Sequence, residues 1–220
     1  MDEKDIYRQR RERMVENQIA GRGITDKRVL EAMREVPRHE FVTDHLKEEA
    51  YADHPLPIGG GQTISQPYIV ALMTEHLRLR GNENVLEIGT GSGYQAAVLS
   101  ELAGVIHTIE LRPELAERAE NTFREMGINN VHVHVGDGTL GWEDEAPYDG
   151  VIATAAAPKV PDAFFEQLKV GGRIVIPVGA RWRQVLEVWT KTDAGMEKEE
   201  ILPVAFVPLL GENGWQDSDF

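Results

Sequence analysis

Over the first 80 residues the apolar positions recur at helical spacing, and from residue 84 onward short apolar runs alternate with amphipathic stretches. Residues 5–20 read as an amphipathic helix, with Ile6, Met14, Val15 and Ile19 near one face and Arg and Glu side chains on the others. Gly21-Arg22-Gly23 breaks it. A second helix is expected over 26–36, with Val29, Leu30 and Met33 at helical spacing and Pro37 ending it. The stretch 51–67 has prolines at 55, 57 and 67 and a glycine triplet at 59–61, and it reads as a loop. Long ordered loops tend to carry function. A third helix follows over 66–79, turning Ile69, Val70, Met73 and Leu77 to the core. Ser65 is placed as its N-cap, with Pro67 in the first turn.

Beyond residue 84 the pattern alternates strand and helix. Val85, Leu86 and Ile88 make a short buried strand, followed by a glycine turn and a helical segment over 94–103. A strand over 105–109 ends at Glu110, and a helix over 113–126 ends at Gly127. Next come a strand over 131–135 with Gly136-Asp137-Gly138 behind it and a strand over 148–154 opening onto Ala155-Ala156-Ala157-Pro158. A helix over 161–168, a turn at Gly171-Gly172 and a strand over 173–178 complete the alternation. Strands over 184–191 and 200–206, linked by a hairpin signal at 192–195, make the end of the sheet antiparallel. The fold class expected is α/β: a mostly parallel, doubly wound, Rossmann-like sheet with antiparallel C-terminal strands and an N-terminal helical lobe. The lobe and loop (1–80) are expected to pack on the core (81–220) as one structural domain.

The candidate chemistry sits at Glu87-Ile88-Gly89-Thr90-Gly91-Ser92-Gly93. Three alternate glycines allow a tight turn and a close approach of ligand to backbone, and the helix behind it presents unpaired N–H groups. A dinucleotide fingerprint needs a glycine three residues after the second one, where this chain has Tyr94. Glu87 would also repel a pyrophosphate, whereas it would attract a ligand carrying a sulfonium and an ammonium. The spacing resembles motif I of the class I methyltransferases, which bind S-adenosylmethionine. Glu110, about 20 residues on, is placed to accept from both ribose hydroxyls. Asp137 fits two readings equally: an acceptor for an adenine amino group, or a simple turn acid.

Composition narrows the class. The 220 residues suffice for one domain with a sizeable core. Without cysteine there is no disulfide, thiolate metal site or cysteine nucleophile. The start lacks the apolar core of a signal peptide and no run is long enough to span a bilayer, so a cytoplasmic enzyme is expected. A formal net charge of −14 disfavours a nucleic-acid substrate. No metal-ligand spacing occurs near His39, and no metal is expected. No membrane partner is expected, and the chain is expected to be a monomer.

Several segments together resemble protein-L-isoaspartate O-methyltransferases from about residue 10 to 210. They are Gly61-Gln62-Thr63-Ile64-Ser65-Gln66-Pro67, the 85–94 glycine segment, Gly136-Asp137-Gly138, Ala146-Pro147-Tyr148-Asp149 and Thr154-Ala155-Ala156-Ala157-Pro158. Pro37-Arg38-His39-Glu40-Phe41-Val42, Pro55-Leu56-Pro57-Ile58-Gly59 and Phe206-Val207-Pro208-Leu209 belong to the same resemblance. It implies methyl transfer from S-adenosylmethionine, leaving S-adenosylhomocysteine, to the α-carboxylate of L-isoaspartyl residues in damaged proteins and to D-aspartyl residues. The ester then closes to a succinimide. It implies Ser65 as the active-site residue and a Thr-Ile-Ser segment lying across the cofactor. With the residue reading, the cofactor-binding set is Thr63, Ile64, Glu87, Gly89, Thr90, Gly91, Ser92, Gly93, Glu110, Asp137, Gly138 and Thr154. A class I methyltransferase acting on a small molecule or RNA, and a cofactor-binding module without activity, remain the alternatives.

Overall fold

A computed structural model describes residues 3–180 and 183–216. The first helix, α1 (Glu3–Arg13), runs on as a wide turn over Met14–Ile19 and a tight one over Ala20–Arg22, and Gly23 stops it at φ 101°. Met14, Val15 and Ile19 are buried, as their spacing requires, while Ile6 is only half-buried. In α2 (Lys27–Glu35) the Asp26 side chain caps the N-terminus by accepting from Arg28 N at 2.8 Å.

The stretch expected as a loop is partly a hairpin, β1 (Leu56–Gly59) and β2 (Gln62–Ile64). Leu56, Ile58 and Ile64 point inward, and the glycine triplet makes the turn with positive φ throughout. Strands this short, among prolines, give no readable period. The next helix, α3 (Pro67–Leu77), corrects the cap assigned to Ser65. Gln66 holds the N-cap position at φ −52°, ψ 137°, no side chain caps the helix, and Ser65 lies one residue outside. Pro67 takes the first helical position, where its missing N–H costs nothing.

The core then follows the expected alternation: β3 (Asn84–Ile88), α4 (Tyr94–Ser100), β4 (Val105–Glu110), α5 (Pro113–Met126), β5 (Val131–Val135) and β6 (Tyr148–Ala153). It ends with α6 (Asp162–Glu166), β7 (Leu168–Ala180), β8 (Arg183–Thr192) and β9 (Gly195–Val204). Two helices, α4 and α6, are shorter than expected. Gly171-Gly172 lies inside β7 instead of preceding it, beside a register shift against β6. Residues 217–220 lie outside the described residues.

All seven strands of the main sheet stand in the order β5-β4-β3-β6-β7-β8-β9. The sheet is parallel from β5 to β7 and antiparallel from β7 to β9. The chain leaves β3 toward β4 and β5 on one side and returns to β6 on the other. Such a reversal of winding opens a crevice at the carboxyl ends of the central strands. Alternation along β3 sends Val85 into one apolar cluster and Leu86 and Ile88 into another. The first cluster runs from Tyr7 to Val188 and takes in the N-terminal helices together with α3 and α4.

Candidate active site

The glycine turn leaves β3 at the crevice. Gly89 N donates to Ile109 O and Gly93 N to Thr90 O, each at 2.8 Å. Gly89 has φ 92°, and a Cβ there would lie 2.6 Å from Thr154 Oγ1. Gly93 has φ 87°, and its Cβ would meet Phe123 at 2.8 Å. Two of the three glycines are therefore required by the protein's own packing, apart from any ligand. Thr154, just past β6, ties the turn to its own strand end, donating from Oγ1 to Gly89 O at 2.6 Å.

The three strand-end acids occupy three different environments. Glu110 is 6% exposed and lines the cleft beside Gly89, Gly91 and Gly138. Its Oε2 accepts from Gly91 N at 2.8 Å and its Oε1 from Arg112 N at 3.0 Å. A carboxylate offers about four lone-pair sites, so each oxygen keeps one for a further donor. Glu87 is fully buried beneath the turn and does not line the cleft. Thr108 Oγ1 donates to its Oε2, and Oε1 has no partner. Thr108 Oγ1 also lies 2.7 Å from Thr90 Oγ1, a contact in which either hydroxyl can donate. Burial, with a smaller push from Glu110 and against the Thr108 bond, raises the Glu87 carboxyl to about 8. The acid is thus largely neutral at pH 7. Asp137 is engaged within the protein: Oδ1 accepts from Thr139 N at 2.9 Å and Thr139 Oγ1 at 2.7 Å, and Oδ2 from Glu212 N at 2.7 Å.

The hairpin β1/β2 reaches the cleft from the other side. Arg118 on α5 holds it, donating from Nη1 to Ile58 O at 3.1 Å. Thr63 lines the cleft, and Thr63, Ile64 and Ser65 line its extension along Gly89, Thr90, Gly91, Ser92, Tyr94 and Gln95. Beyond Ser65 lies a groove of about 860 Å³, walled by Arg22, Pro55, Gln66, Tyr68, Ile69 and the segment 202–208. Thr63, Ser65 and Thr154 line both the cleft extension and the groove. They form the junction between the two.

Of the residues singled out from sequence, all but Glu87, Gly93 and Asp137 border the cleft or its extension. Gln62, Leu111, Arg112 and the 207–210 segment also line it and went unassigned. Leu111 follows Glu110 directly and is 45% exposed, an apolar residue with no packing reason to be there. The 206–209 segment carried a motif but no role. It runs back along the end of β6, with Ala156 N donating to Val207 O and Leu209 N to Ala156 O, both at 2.8 Å. Among the described residues no cluster of His, Cys, Asp or Glu has metal-binding geometry, and no helix is long and apolar enough to cross a membrane.

The parallel sheet, its winding reversal and a glycine turn flanked by an acid one strand away define a class I methyltransferase. The model of the protein-L-isoaspartate(D-aspartate) O-methyltransferase family matches residues 9–214. A protein-L-isoaspartate O-methyltransferase 1 of Syntrophobacter fumaroxidans is 56% identical over 210 residues, covering 96% of this chain and 98% of the relative. A protein-L-isoaspartate O-methyltransferase of Methanoculleus marisnigri is 53% identical, covering 97% of each chain. A solved protein-L-isoaspartate O-methyltransferase superposes with TM-score 0.83 at 31% identity, over 92% of this chain and 66% of that one. A Plasmodium falciparum structure in complex with S-adenosyl-L-homocysteine superposes with TM-score 0.80, over 91% of this chain and 98% of that one; at 24% identity it speaks to the fold alone. The chain belongs to the protein-L-isoaspartate(D-aspartate) O-methyltransferase family.

Proposed function

We propose that this protein transfers a methyl group from S-adenosylmethionine to the free carboxylate of L-isoaspartyl residues in damaged proteins, starting their repair through a succinimide. The observation that carries this reading is the junction at Thr63, Ser65 and Thr154, where a cleft suited to a nucleoside meets a groove suited to a polypeptide.

The residues present fit the cofactor. The spare lone pairs of Glu110 suit the ribose hydroxyls. Asp137 Oδ2, with one N–H donor, keeps a lone pair for the adenine amino group beside Gly138. The glycine turn, Thr90, Ser92 and Thr154 border the rest, with Thr63 and Ile64 across them. When bound, S-adenosylmethionine supplies an electrophilic methyl group. Among the described residues no cluster suited to a metal lies at this site, and none is needed for the transfer.

The acceptor explains why no catalytic base is evident. An α-carboxylate ionises near a pKa of about 3.5 and is already a nucleophile at neutral pH. What remains for the protein is to place one oxygen in line with the methyl and to exclude water, worth roughly 7–11 kcal/mol when well oriented. Ser65 is released from capping, and its hydroxyl makes no side-chain hydrogen bond among the described residues. It is free to orient the carboxylate by donating to it, and is not itself modified. We further read the chain as a monomeric cytoplasmic enzyme; the apolar cluster that joins the N-terminal helices to the core supports one structural domain. The anionic composition supports a protein substrate over a nucleic acid.

The test is incubation with labelled S-adenosylmethionine and matched peptides differing only in an isoaspartyl or aspartyl linkage. Label is expected on the isoaspartyl peptide as a base-labile ester. Equal labelling of both peptides, or of neither, would overturn the reading.

A further inference from the structure

The groove beyond Ser65 has almost no charge. Of the described residues that line it, Arg22 alone is charged; the rest are apolar or neutral. This guanidinium is held in place. It stands 3.7 Å over the Tyr68 ring, and Nη1 pairs with Asp53 Oδ2 at 3.0 Å. Asp53 is in turn fixed by Gln66, whose Nε2 donates to Asp53 Oδ1 at 2.8 Å and to its backbone O at 3.1 Å. The same short segment, 65–68, therefore supplies Ser65 at the junction, Gln66 in the anchor and Tyr68 under the cation. A guanidinium has five N–H donors, and Arg22 spends only its Nη1 on Asp53 among the described residues.

We propose that Arg22 is a specificity-determining residue that receives the carboxylate of an acidic side chain flanking the methyl-accepting residue. The substrates preferred within the isoaspartyl class, on which this inference rests, are then segments with Asp or Glu near the damaged position. The physical reason is the contrast with the rest of the molecule. At a net charge of −14 the protein repels acidic chains overall, so one fixed cation on an uncharged wall decides which segments settle in the groove. Stacking on Tyr68 holds the planar fork ready for a carboxylate and lessens the entropy lost on binding.

The alternative is that Arg22 is a strut, its charge satisfied by Asp53. Methyl-transfer kcat/KM separates the two, measured on isoaspartyl peptides with Glu, Gln or Lys at each of the three positions on either side. The wild-type protein is expected to favour Glu over Gln by about two- to fivefold at one or more positions, the size of a partly exposed charge pair, and to disfavour Lys. Arg22→Gln should erase that ratio, with folding checked by thermal melting. Asp53→Asn, which leaves an acceptor for Gln66 but removes the competing charge, should widen it, and high salt should narrow it. A wild-type protein indifferent to flanking charge, a ratio that survives in Arg22→Gln, or one unchanged in Asp53→Asn would overturn the proposal. Should Arg22→Gln fail to fold, the Asp53→Asn ratio decides alone. Failure to methylate any isoaspartyl peptide would instead overturn the activity reading.

Discussion

The cleft at the glycine turn and the groove beyond Ser65 meet at Thr63, Ser65, Thr154, Val207 and Pro208 but are built by different means. The cleft is made of strand ends and one tight turn. Its glycines are pinned by φ and by Phe123 and Thr154, and a fully buried acid lies beneath it. The groove is made of the turn at Arg22, the end of the hairpin, the start of α3 and the segment 202–208. Most of these are irregular and half-exposed. A change in the cleft should therefore disturb the fold along with binding, whereas a change in the groove should alter turnover and leave the fold intact.

The sharpest test of this contrast is Glu87→Gln. The folded-state carboxyl titrates near 8, above its ordinary 4.5. Its contribution to stability is complete below pH 4.5 and is lost as the pH rises toward 8. Denaturant titrations should show the wild-type protein losing roughly 3–5 kcal/mol through that window from this one group. The Gln variant should lack that part of the slope. Identical slopes would mean that Glu87 is ionised in the folded protein and that the cleft side stores no such penalty.

Next in size is Gly93→Ala. Left-handed backbone and a Cβ 2.8 Å from Phe123 and 3.2 Å from Ala119 should together cost about 2–4 kcal/mol of unfolding free energy. A loss below about 1 kcal/mol would show the turn to be pliable.

Ser65→Asp probes the groove side at the junction. Because Ser65 is not a cap, both the Ala and Asp variants should melt within about 0.5 kcal/mol of wild type. The Asp variant sets a negative charge against the substrate carboxylate. It should lose about 100-fold in turnover of isoaspartyl peptide, the scale of a misplaced reactant, while S-adenosylhomocysteine still binds. Wild-type turnover in Ser65→Asp would remove the residue from the site altogether.

The smallest expected effect returns to the cleft. Glu110→Gln keeps an acceptor for Gly91 or Arg112 but weakens a charged hydrogen bond to the ribose. Calorimetry with S-adenosylhomocysteine should show about 1–3 kcal/mol of lost affinity. An unchanged affinity in the folded variant would leave Glu110 as a brace for the glycine turn.

By itself the sequence determined what depends on short-range pattern. The helix α5 falls on its expected bounds because Pro113 starts it and Gly127, at φ 72°, ends it. The glycine turn and the acid at the end of β4 were legible because a tight turn behind one strand and an acid closing the next are marked by fixed residue types at fixed separations. So was the antiparallel close of the sheet, since Thr192 pairs with Gly195 across a two-residue turn. The tertiary structure decided what depends on distant neighbours. Glu87 and Glu110 look alike as strand-end acids and stand on the same face of the sheet, since Glu87 is level with Thr108, yet Glu110 lies beyond the end of β3 and reaches the cleft while Glu87 stays under the turn. Asp137 is held by Thr139 and by Glu212, 75 residues away, which no local pattern signals. Ser65 changes from cap to junction through a shift of one residue in where α3 begins. Arg22, read as part of a helix break, reaches the groove because Tyr68 and Asp53 come to it from 46 and 31 residues further along the chain. Periodicity reports which face of an element is buried, but the partners of a polar side chain follow only from how the elements pack.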